Sequence, residues 1–241
     1  MLLSWRGVRV HSYTAMLYLG LLAGTYTTYA AALVLGLPRG TAMLAILLLL
    51  VPAVLGARLA FVVGRWHVLP AAARGIFRSG EGGAVSYGAL LTVPLSVPLL
   101  AVLHVPFASF WDAGALGFLA ASIFLRFGCL LNGCCCGRVT TGRFSLVLRN
   151  VAGVRERRIP SQLLDVGWAT ALLLAATFVL ARMPFSGALF LSLLAGYAVG
   201  RFALDFTREG VRSLGPLTMT QCFSAGCVVL SLGVLAIEFG G

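Results

Sequence analysis

Seven long apolar runs divide this sequence, and they constrain its fold more than any other feature. A helix that crosses a bilayer needs roughly 20 apolar residues, and each run is close to that length. The runs are Tyr13 to Leu35, Thr41 to Val63, Ser86 to Leu103, Trp111 to Leu131, Gln162 to Leu180, Phe185 to Ala203 and Leu217 to Ile237. Hydrophobic residues make up 60% of the 241 positions, which is more than a soluble domain of this size can bury. The sequence therefore predicts an all-α integral membrane protein with about seven transmembrane helices, in which residues 1–241 form a single transmembrane domain.

Two segments depart from this pattern. The third run contains Pro94 and Pro98, which predict a kinked helix because proline cannot donate a backbone hydrogen bond. The connection from Asn132 to Ser161 is too polar to span a membrane, and residues 143–148 within it alternate between polar and apolar. Because such alternation is typical of a strand, we predict a small surface hairpin in this extramembrane insertion (residues 132–161) between helices 4 and 5.

All eighteen basic residues are arginines, and with only seven acidic residues the net charge is +11. This charge predicts an anionic partner. No basic helix or basic aromatic surface stands apart from the apolar runs, which argues against nucleic acid. Anionic phospholipid of the bilayer is the better candidate, because a planar guanidinium binds phosphate through two bonds. A GC-rich genome is an alternative cause of the arginine bias.

Three arginines, Arg58, Arg126 and Arg201, lie inside apolar runs or at their edges. A charged side chain in lipid is costly unless it faces a partner or a polar cavity. Arg201 and Asp205 are four residues apart on one helix face, so a purely structural ion pair is the alternative to a functional role. Arg126 has only the distant Asp112 in its own helix. It therefore needs a partner from another segment, or a ligand.

Two further polar residues accompany these arginines. Asp165 lies just inside the fifth run, where it either caps the helix or pairs with a loop arginine. Tyr197 lies one turn before Arg201 on the same face, and its alternative role is anchoring at the membrane interface. The sixth helix thus presents a phenol, a guanidinium and a carboxylate in a row.

Four of the six cysteines fall within eight residues, and the other two lie in the last run. They are Cys129, Cys134, Cys135 and Cys136, and then Cys222 and Cys227. Zinc sites usually have two separated pairs of ligands with supporting histidines, whereas the three histidines here are remote in sequence. We therefore expect no metal and no cofactor. The cysteines either pack as small side chains or provide a redox-active or acyl-accepting thiol.

A series of short motifs follows the chain in a fixed order. They are His11-Ser12-Tyr13, Gly56-Ala57-Arg58-Leu59, Glu81 to Gly88, Arg126 to Arg138, Pro160 to Asp165, Tyr197 to Phe202 and Met219-Thr220-Gln221. Together they resemble the prolipoprotein diacylglyceryl transferase family over nearly the whole chain. Three positions depart from the family pattern: Tyr87 replaces a histidine, Cys129 an asparagine and Cys134 an acidic residue. The arginines are retained while polar residues around them change, which fits a divergent branch.

The resemblance implies transfer of a diacylglyceryl group from phosphatidylglycerol, or another anionic phospholipid, to the lipobox cysteine of a prolipoprotein signal peptide. Glycerol phosphate would be released. A related transferase with a different acceptor and a noncatalytic lipid-binding protein are the alternatives. The implied catalytic residues are Arg126, Arg201 and Tyr87, although tyrosine, with an unperturbed pKa of about 10, is a poor base. The implied substrate-binding residues are Tyr13, Arg58, Cys129, Asn132, Gly133, Gly137, Arg138, Tyr197 and Asp205.

The sequence gives two conflicting indications of orientation. Seven spans would place thirteen arginines on the N-terminal side of the membrane and only Arg39 and Arg182 on the other. The positive-inside rule then puts the N-terminus in the cytoplasm, whereas the resemblance implies that it lies outside. We follow the resemblance, because arginines that attract acidic headgroups serve the reaction. The expected location is the bacterial cytoplasmic (inner) membrane, with the N-terminus outside and the C-terminus cytoplasmic.

Overall fold

A computed structural model describes residues 3–5, 8–10, 12–63, 90–150, 153–209 and 217–240. These residues form seven α-helices and two hairpins, which confirms the predicted helical membrane fold. The helices are α1 (Ser12–Val34), α2 (Arg39–Val63), α3 (Thr92–Val102), α4 (Phe107–Asn132), α5 (Ser161–Val179), α6 (Ala188–Asp205) and α7 (Met219–Gly240). The strands are β1 (Leu3–Trp5), β2 (Val8–Val10), β3 (Leu146–Arg149) and β4 (Arg155–Arg158), and a short 3-10 helix, Leu180–Arg182, follows α5.

Six of the seven described helices are long and apolar enough to cross a membrane. The exception is α3, which has 11 residues and is therefore about 16 Å long at 1.5 Å per residue. That length is roughly half of a bilayer core. The run predicted to form this helix begins at Ser86, and its first four residues lie outside the described part of the chain. The chain is a multi-pass membrane protein.

Helices α1 and α4 touch backbone to backbone along a line of small residues, which we call the glycine seam: Gly20, Gly24 and Thr28 on α1, with Gly117 and Ala121 on α4. A Cβ atom added to Gly24 would lie 2.9 Å from the Gly117 carbonyl oxygen, and one added to Gly20 would lie 3.0 Å from that of Ala121. A Cβ on Gly117 would fall 1.8 Å from Thr28 Oγ1. Small residues spaced four apart are a common way for transmembrane helices to pack closely. The seam runs antiparallel, so the start of α1 lies beside the end of α4.

At the opposite end of the bundle, Asp112 joins α4 to α6. Its carboxylate oxygens accept hydrogen bonds from the backbone N–H of Gly187 at 2.7 Å and of Phe190 at 2.8 Å. These N–H groups belong to the first turn of α6, where backbone N–H groups have no acceptor within their own helix. A carboxylate at a helix N-terminus also favours the helix dipole. Asp112 therefore fixes the start of α6 against α4.

The hairpin predicted between helices 4 and 5 is confirmed. Strands β3 and β4 pair antiparallel, with Leu146 opposite Arg158 and Arg149 opposite Arg155. The hairpin packs directly on the end of α4, where Gly133 has a positive φ of 74°. A Cβ atom on Gly133 would lie 2.6 Å from the Arg149 carbonyl oxygen. Glycine at this position thus allows both the left-handed turn that ends α4 and the approach of the hairpin.

The N-terminal hairpin of β1 and β2 was not predicted. Each strand has three residues, with Leu3 paired to Val10 and Trp5 to Val8. Three residues are too few for a period-two pattern to be recognised, because strand patterns become detectable over about four to eight residues.

Candidate functional site

Five buried charged residues meet where α4, α5 and α6 share one end of the bundle. We call them the arginine cluster: Arg126, Arg201, Arg208, Asp165 and Asp205. The Asp165 carboxylate is the centre, lying 3.3 Å from Arg126 Nε and 3.1 Å from Arg201 Nη1 and also contacting Arg208 Nη2. Arg201 Nη2 lies 3.6 Å from Asp205 Oδ1. The two arginines predicted to be catalytic are therefore brought together through one carboxylate.

Each partner comes from a position near a helix end. Arg126 lies in the last two turns of α4, Asp165 in the first two turns of α5, and Arg201 and Asp205 in the last turns of α6. Arg208 follows α6 directly. The pairing of Arg201 with Asp205 is the one expected from their spacing. The partner that Arg126 needed from another segment is Asp165.

Residues at the start of α7 contact the cluster at Asp205. Thr218 Oγ1 donates to Asp205 Oδ2 at 2.5 Å, and it accepts the backbone N–H of Gln221 at 3.1 Å. The Gln221 amide donates to the Phe202 carbonyl at 3.4 Å. These bonds link the Met219-Thr220-Gln221 motif to the arginine motif of α6. Asp205 is thereby oriented from two helices.

The arginine cluster carries one more positive than negative charge, counted as three arginines against two aspartates among the described residues. Its members are deeply buried, and Arg208, the most exposed, shows 11% of its side-chain surface. Burial, followed by the charges of Arg126 and Arg201, lowers the pKa of Arg208, but an arginine remains protonated in proteins. Within the described residues, Arg208 Nε is buried and has no hydrogen-bond partner. A buried, uncompensated cation favours an anionic ligand with oxygen acceptors.

An apolar cavity of about 270 Å³ extends from this cluster between α1, α2, α4 and α6. Tyr13, Arg126 and Tyr197 line its polar end, and Leu49 and Phe110 line its apolar part. Phe110 and Arg126 are sixteen positions apart on α4, which corresponds to about 24 Å along the helix. The cavity therefore runs through most of the roughly 30 Å bilayer core and ends at a guanidinium.

Tyr197 is buried rather than interfacial. Only 6% of its surface is exposed, and its ring packs edge-on against Phe118 with 5.0 Å between centroids. The phenol also lies close enough to Arg126 to interact with it electrostatically. Tyr197 lies at the polar end of the cavity, and its contact with a substrate stays a prediction.

The other predicted site residues fall into three groups. Tyr13 and Cys129 are buried together with Cys134 beside the end of α4. Asn132 is the last residue of α4, and Arg138 Nε donates to the Arg208 carbonyl at 3.1 Å. The remaining two, Tyr87 and the side chain of Arg58, lie outside the described residues.

The two signature glycines both have packing reasons for their lack of a side chain. Gly133 ends α4 as described above. A Cβ on Gly137 would lie 2.2 Å from the Ile159 carbonyl oxygen and 2.5 Å from Ser161 Oγ. Contact of either glycine with a lipid headgroup stays a prediction.

The loop after α4 gathers three thiols beside the cluster. The Sγ atoms of Cys129, Cys134 and Cys135 all lie within 4.8 Å of one another. Hydrogen bonds from the other two thiols, and then the charges of Arg126 and Arg208, hold the pKa of Cys135 well below its usual range.

Sequence reasoning missed Arg208 as a site residue and did not identify Asp165 as the shared partner. In the sequence analysis Arg208 was only one of the thirteen arginines placed on the N-terminal side of the membrane. A signal was present: Tyr197, Arg201, Asp205 and Arg208 follow one another at spacings of four, four and three residues, which is one helix face continued past the helix end. Asp165 could be placed only by folding α5 against α6.

The sequence matches the profile of the prolipoprotein diacylglyceryl transferase family over residues 1–237. It is 26% identical over 227 residues to phosphatidylglycerol–prolipoprotein diacylglyceryl transferase 2 of Clostridium perfringens (strain 13 / Type A), covering 90% of this chain and 87% of that protein. It is 28% identical over 238 residues to the phosphatidylglycerol–prolipoprotein diacylglyceryl transferase of Bacillus cereus (strain B4264), covering 92% and 86%. An enzyme of the same name from Dehalococcoides mccartyi (strain BAV1) is 25% identical over 214 residues, covering 87% and 76%.

Proposed function

The chain belongs to the prolipoprotein diacylglyceryl transferase family, and on that premise we propose that it moves a diacylglyceryl group from phosphatidylglycerol to the cysteine thiol of a prolipoprotein. The helical membrane fold gives access to phospholipid. The arginine cluster is the proposed site where the phosphate binds and the transfer takes place.

The observation that carries this proposal is the position of a buried cationic surplus at the end of a long apolar cavity. A phospholipid has the matching shape, with a phosphate at one end and acyl chains at the other. The phosphate would lie against Arg126, Arg201 and Arg208, and an acyl chain would follow the cavity towards Phe110. Guanidinium groups bind phosphate oxygens with charge-assisted hydrogen bonds.

The transfer step forms one bond and breaks one. The acceptor thiolate attacks the glyceryl carbon next to the phosphate, a C–S bond forms, and the C–O bond to the phosphate breaks. The thiol proton passes to a base or to solvent, and glycerol phosphate leaves with the extra negative charge. Arg126 and Arg201 stabilise that charge as it develops, which is the role of an oxyanion hole. Asp165 acts by positioning them.

Substrate contacts beyond the arginines follow the same geometry. Tyr13 and Tyr197 line the polar end of the cavity, next to where the ester oxygens would lie. Arg138, which is bonded to the Arg208 backbone, would contact the outer part of the headgroup. Tyr87 is proposed to orient a phosphate or ester oxygen.

The orientation of the chain follows from where the acceptor arrives. The start of α1 packs beside the end of α4, so the N-terminus and the arginine cluster share one face of the bundle. We place this face, with residues 132–161 as an extramembrane insertion of a single transmembrane domain, outside the bacterial cytoplasmic membrane. The C-terminus is then cytoplasmic, and a signal peptide emerging on the outer face reaches the cluster. Labelling of a cysteine added at each terminus tests this orientation, and a cytoplasmic N-terminus would overturn it.

The activity is tested with the full chain in lipid nanodiscs containing phosphatidylglycerol and a lipobox peptide. We expect the peptide to gain the mass of a diacylglyceryl group and an equal amount of glycerol phosphate to appear. Arg201→Gln should lose both products, whereas Arg182→Gln, an exposed arginine at the end of the bundle opposite the cluster, should keep them.

Other outcomes separate the alternatives. Release of glycerol phosphate without peptide labelling would indicate a transferase with another acceptor. Lipid binding without either product, under conditions in which a Bacillus cereus relative labels the peptide, would indicate a noncatalytic lipid-binding protein.

A further inference from the structure

A turn after α4 brings three cysteine thiols to one point. Gly133 adopts a left-handed conformation with φ 74°, and the Cys134 backbone N–H then donates to the Cys129 carbonyl at 3.1 Å. The chain reverses, and the Cys134 thiol also points at that carbonyl, at 3.7 Å. As a result the three Sγ atoms lie within 4.8 Å of one another. Their separation in sequence, four residues and then none, does not resemble a zinc finger, and only this turn makes them neighbours.

Cys135 is held in an unusual backbone conformation. Its φ is 56°, a left-handed value that residues with a side chain rarely adopt. Cys136 next to it points away, since its thiol donates to the Gly133 carbonyl at 3.0 Å and lies near the Gln162 amide. The two neighbours thus offer a matched pair: one thiol in the group and one outside it.

We propose that Cys129, Cys134 and Cys135 bind one thiophilic divalent metal ion, of which Zn²⁺ and Cd²⁺ are the chemical type. On binding, the thiols that carry protons release them and three metal–sulfur bonds form. A Zn–S bond is about 2.3 Å, so the sulfurs of a three-thiolate complex lie roughly 4 Å apart. They need to approach by less than about 1 Å from their present separation. The exposed side of Cys135 leaves room for water as a fourth ligand.

The charges around the thiols suit such a complex. One divalent ion with three thiolates has a net charge of −1. Arg126 and Arg208 both interact electrostatically with Cys135, and the arginine cluster has one positive charge in excess. A neutral or apolar surrounding would oppose three thiolates at this depth, whereas this one compensates the charge that the complex adds.

One consequence rests on the proposed function. The complex would use the cation surplus that binds the phospholipid phosphate, so metal and phospholipid should compete.

The binding test uses the purified, reduced full chain in detergent, titrated with Cd²⁺ while the ultraviolet sulfur-to-cadmium charge-transfer band is recorded. We expect one tight Cd²⁺ per chain. Cys134→Ser and Cys135→Ser should each weaken binding by at least about 100-fold, since even residues that only support metal ligands contribute 10- to 100-fold. Cys136→Ser and the double variant Cys222→Ser/Cys227→Ser should bind as the original chain does.

Several results would overturn the site. They are the lack of a charge-transfer band in the original chain, unchanged affinity in both Cys134→Ser and Cys135→Ser, or an equal loss in Cys136→Ser. Thermal unfolding of each variant serves as the folding control. Cys129 and Cys134 are both buried in one cluster with Tyr13, so Cys135→Ser, at the exposed thiol of the group, is the variant that leaves this packing intact.

A second measurement separates the site from the proposed reaction. In the transfer assay, Cd²⁺ should inhibit the original chain, and more phosphatidylglycerol should relieve the inhibition. The activity of Cys135→Ser, relative to its own metal-free rate, should be insensitive to Cd²⁺. If the chain binds Cd²⁺ but never labels the peptide, the metal-site proposal stands and the proposed function is wrong.

Discussion

Two groups of charged residues in this protein have opposite compositions. In the arginine cluster, one carboxylate, Asp165, contacts three arginines. In the second group, which we call the hairpin ion group, one arginine lies between two acids: Arg158 is 2.5 Å from Glu156 Oε2 and 2.7 Å from Glu209 Oε2. Arg158 also donates to the Gly137 carbonyl at 3.1 Å.

Under the proposed function, the difference is that between a phosphate-binding site and an ion group that only stabilises the hairpin. Hydrogen bonds to Glu209 and then to Glu156 raise the pKa of Arg158. The positive charge of Arg158 is therefore compensated by acidic side chains of the protein itself. The two glutamates expose 38% and 51% of their side chains, and water shares their negative charge. The arginine cluster, in contrast, has its excess of positive charge in a buried place with little access to water. Of the two groups, it is the one that has more cations than anions.

Among the variants that test the difference between the two groups, Asp165→Asn is expected to have the largest effect. The change leaves three buried arginines without their shared carboxylate, and removing one partner of a buried ion pair costs about 3–5 kcal/mol. Thermal or denaturant unfolding in detergent should show this loss of stability. Glu156→Gln is the matched control in the hairpin ion group, and equal stability of the two variants would mean that Asp165 is not the centre of the site.

The next effect is on catalysis. Arg126→Lys and Arg201→Lys keep the positive charge but lose the planar fork that holds two oxygens. Each should lower kcat by about 10²- to 10³-fold, the usual cost of losing one oxyanion donor, as measured by peptide labelling. The same exchange at Arg158 should leave kcat close to that of the original chain. A labelling rate in the cluster variants near the original would show that charge alone suffices.

Arg208→Gln tests the excess positive charge of the arginine cluster. The cluster would then hold two arginines and two aspartates, and the phosphate would lose one charge-assisted hydrogen bond, which contributes about 1.5–3 kcal/mol. The KM for phosphatidylglycerol should rise by at least about tenfold, with a smaller change in kcat. Steady-state kinetics at varied phosphatidylglycerol fraction decide this, and an unchanged KM would place the phosphate away from Arg208.

The smallest effect is expected from Glu209→Gln. The pair with Arg158 is half exposed, and exposed ion pairs contribute roughly 0–1 kcal/mol. Unfolding should change by no more than that, and the labelling rate should stay within about twofold. A large loss of activity would mean that the hairpin ion group takes part in the reaction and that the two groups are not separate in role.

Local patterns in the sequence were enough for the parts of this molecule that depend on short spacings. The apolar runs predicted the helices, and the four-residue spacing predicted the Arg201–Asp205 pair. The alternating stretch after residue 142 predicted the β3–β4 hairpin. These features need only a helix or strand period to be recognised.

The centre of the site depends on contacts between distant segments. Asp165 meets Arg201 across 36 positions and Arg208 across 43, and no local period encodes such a meeting. The thiol group also escaped the sequence analysis. The spacing of these cysteines does not match zinc patterns with two separated pairs of ligands, and the left-handed turn at Gly133 is what makes Cys129 and Cys135 neighbours.

The glycine seam has a consequence for how the protein is made. Helices α1 and α4 are separated by 72 residues, from Val34 to Phe107, and ribosomes add roughly 5–20 residues per second. The glycine face of α1 therefore lacks its α4 partner for roughly 4 to 14 seconds during synthesis. The arginine cluster includes Arg126 of α4, so it can assemble only after this helix is made, when more than half of the chain has been synthesised.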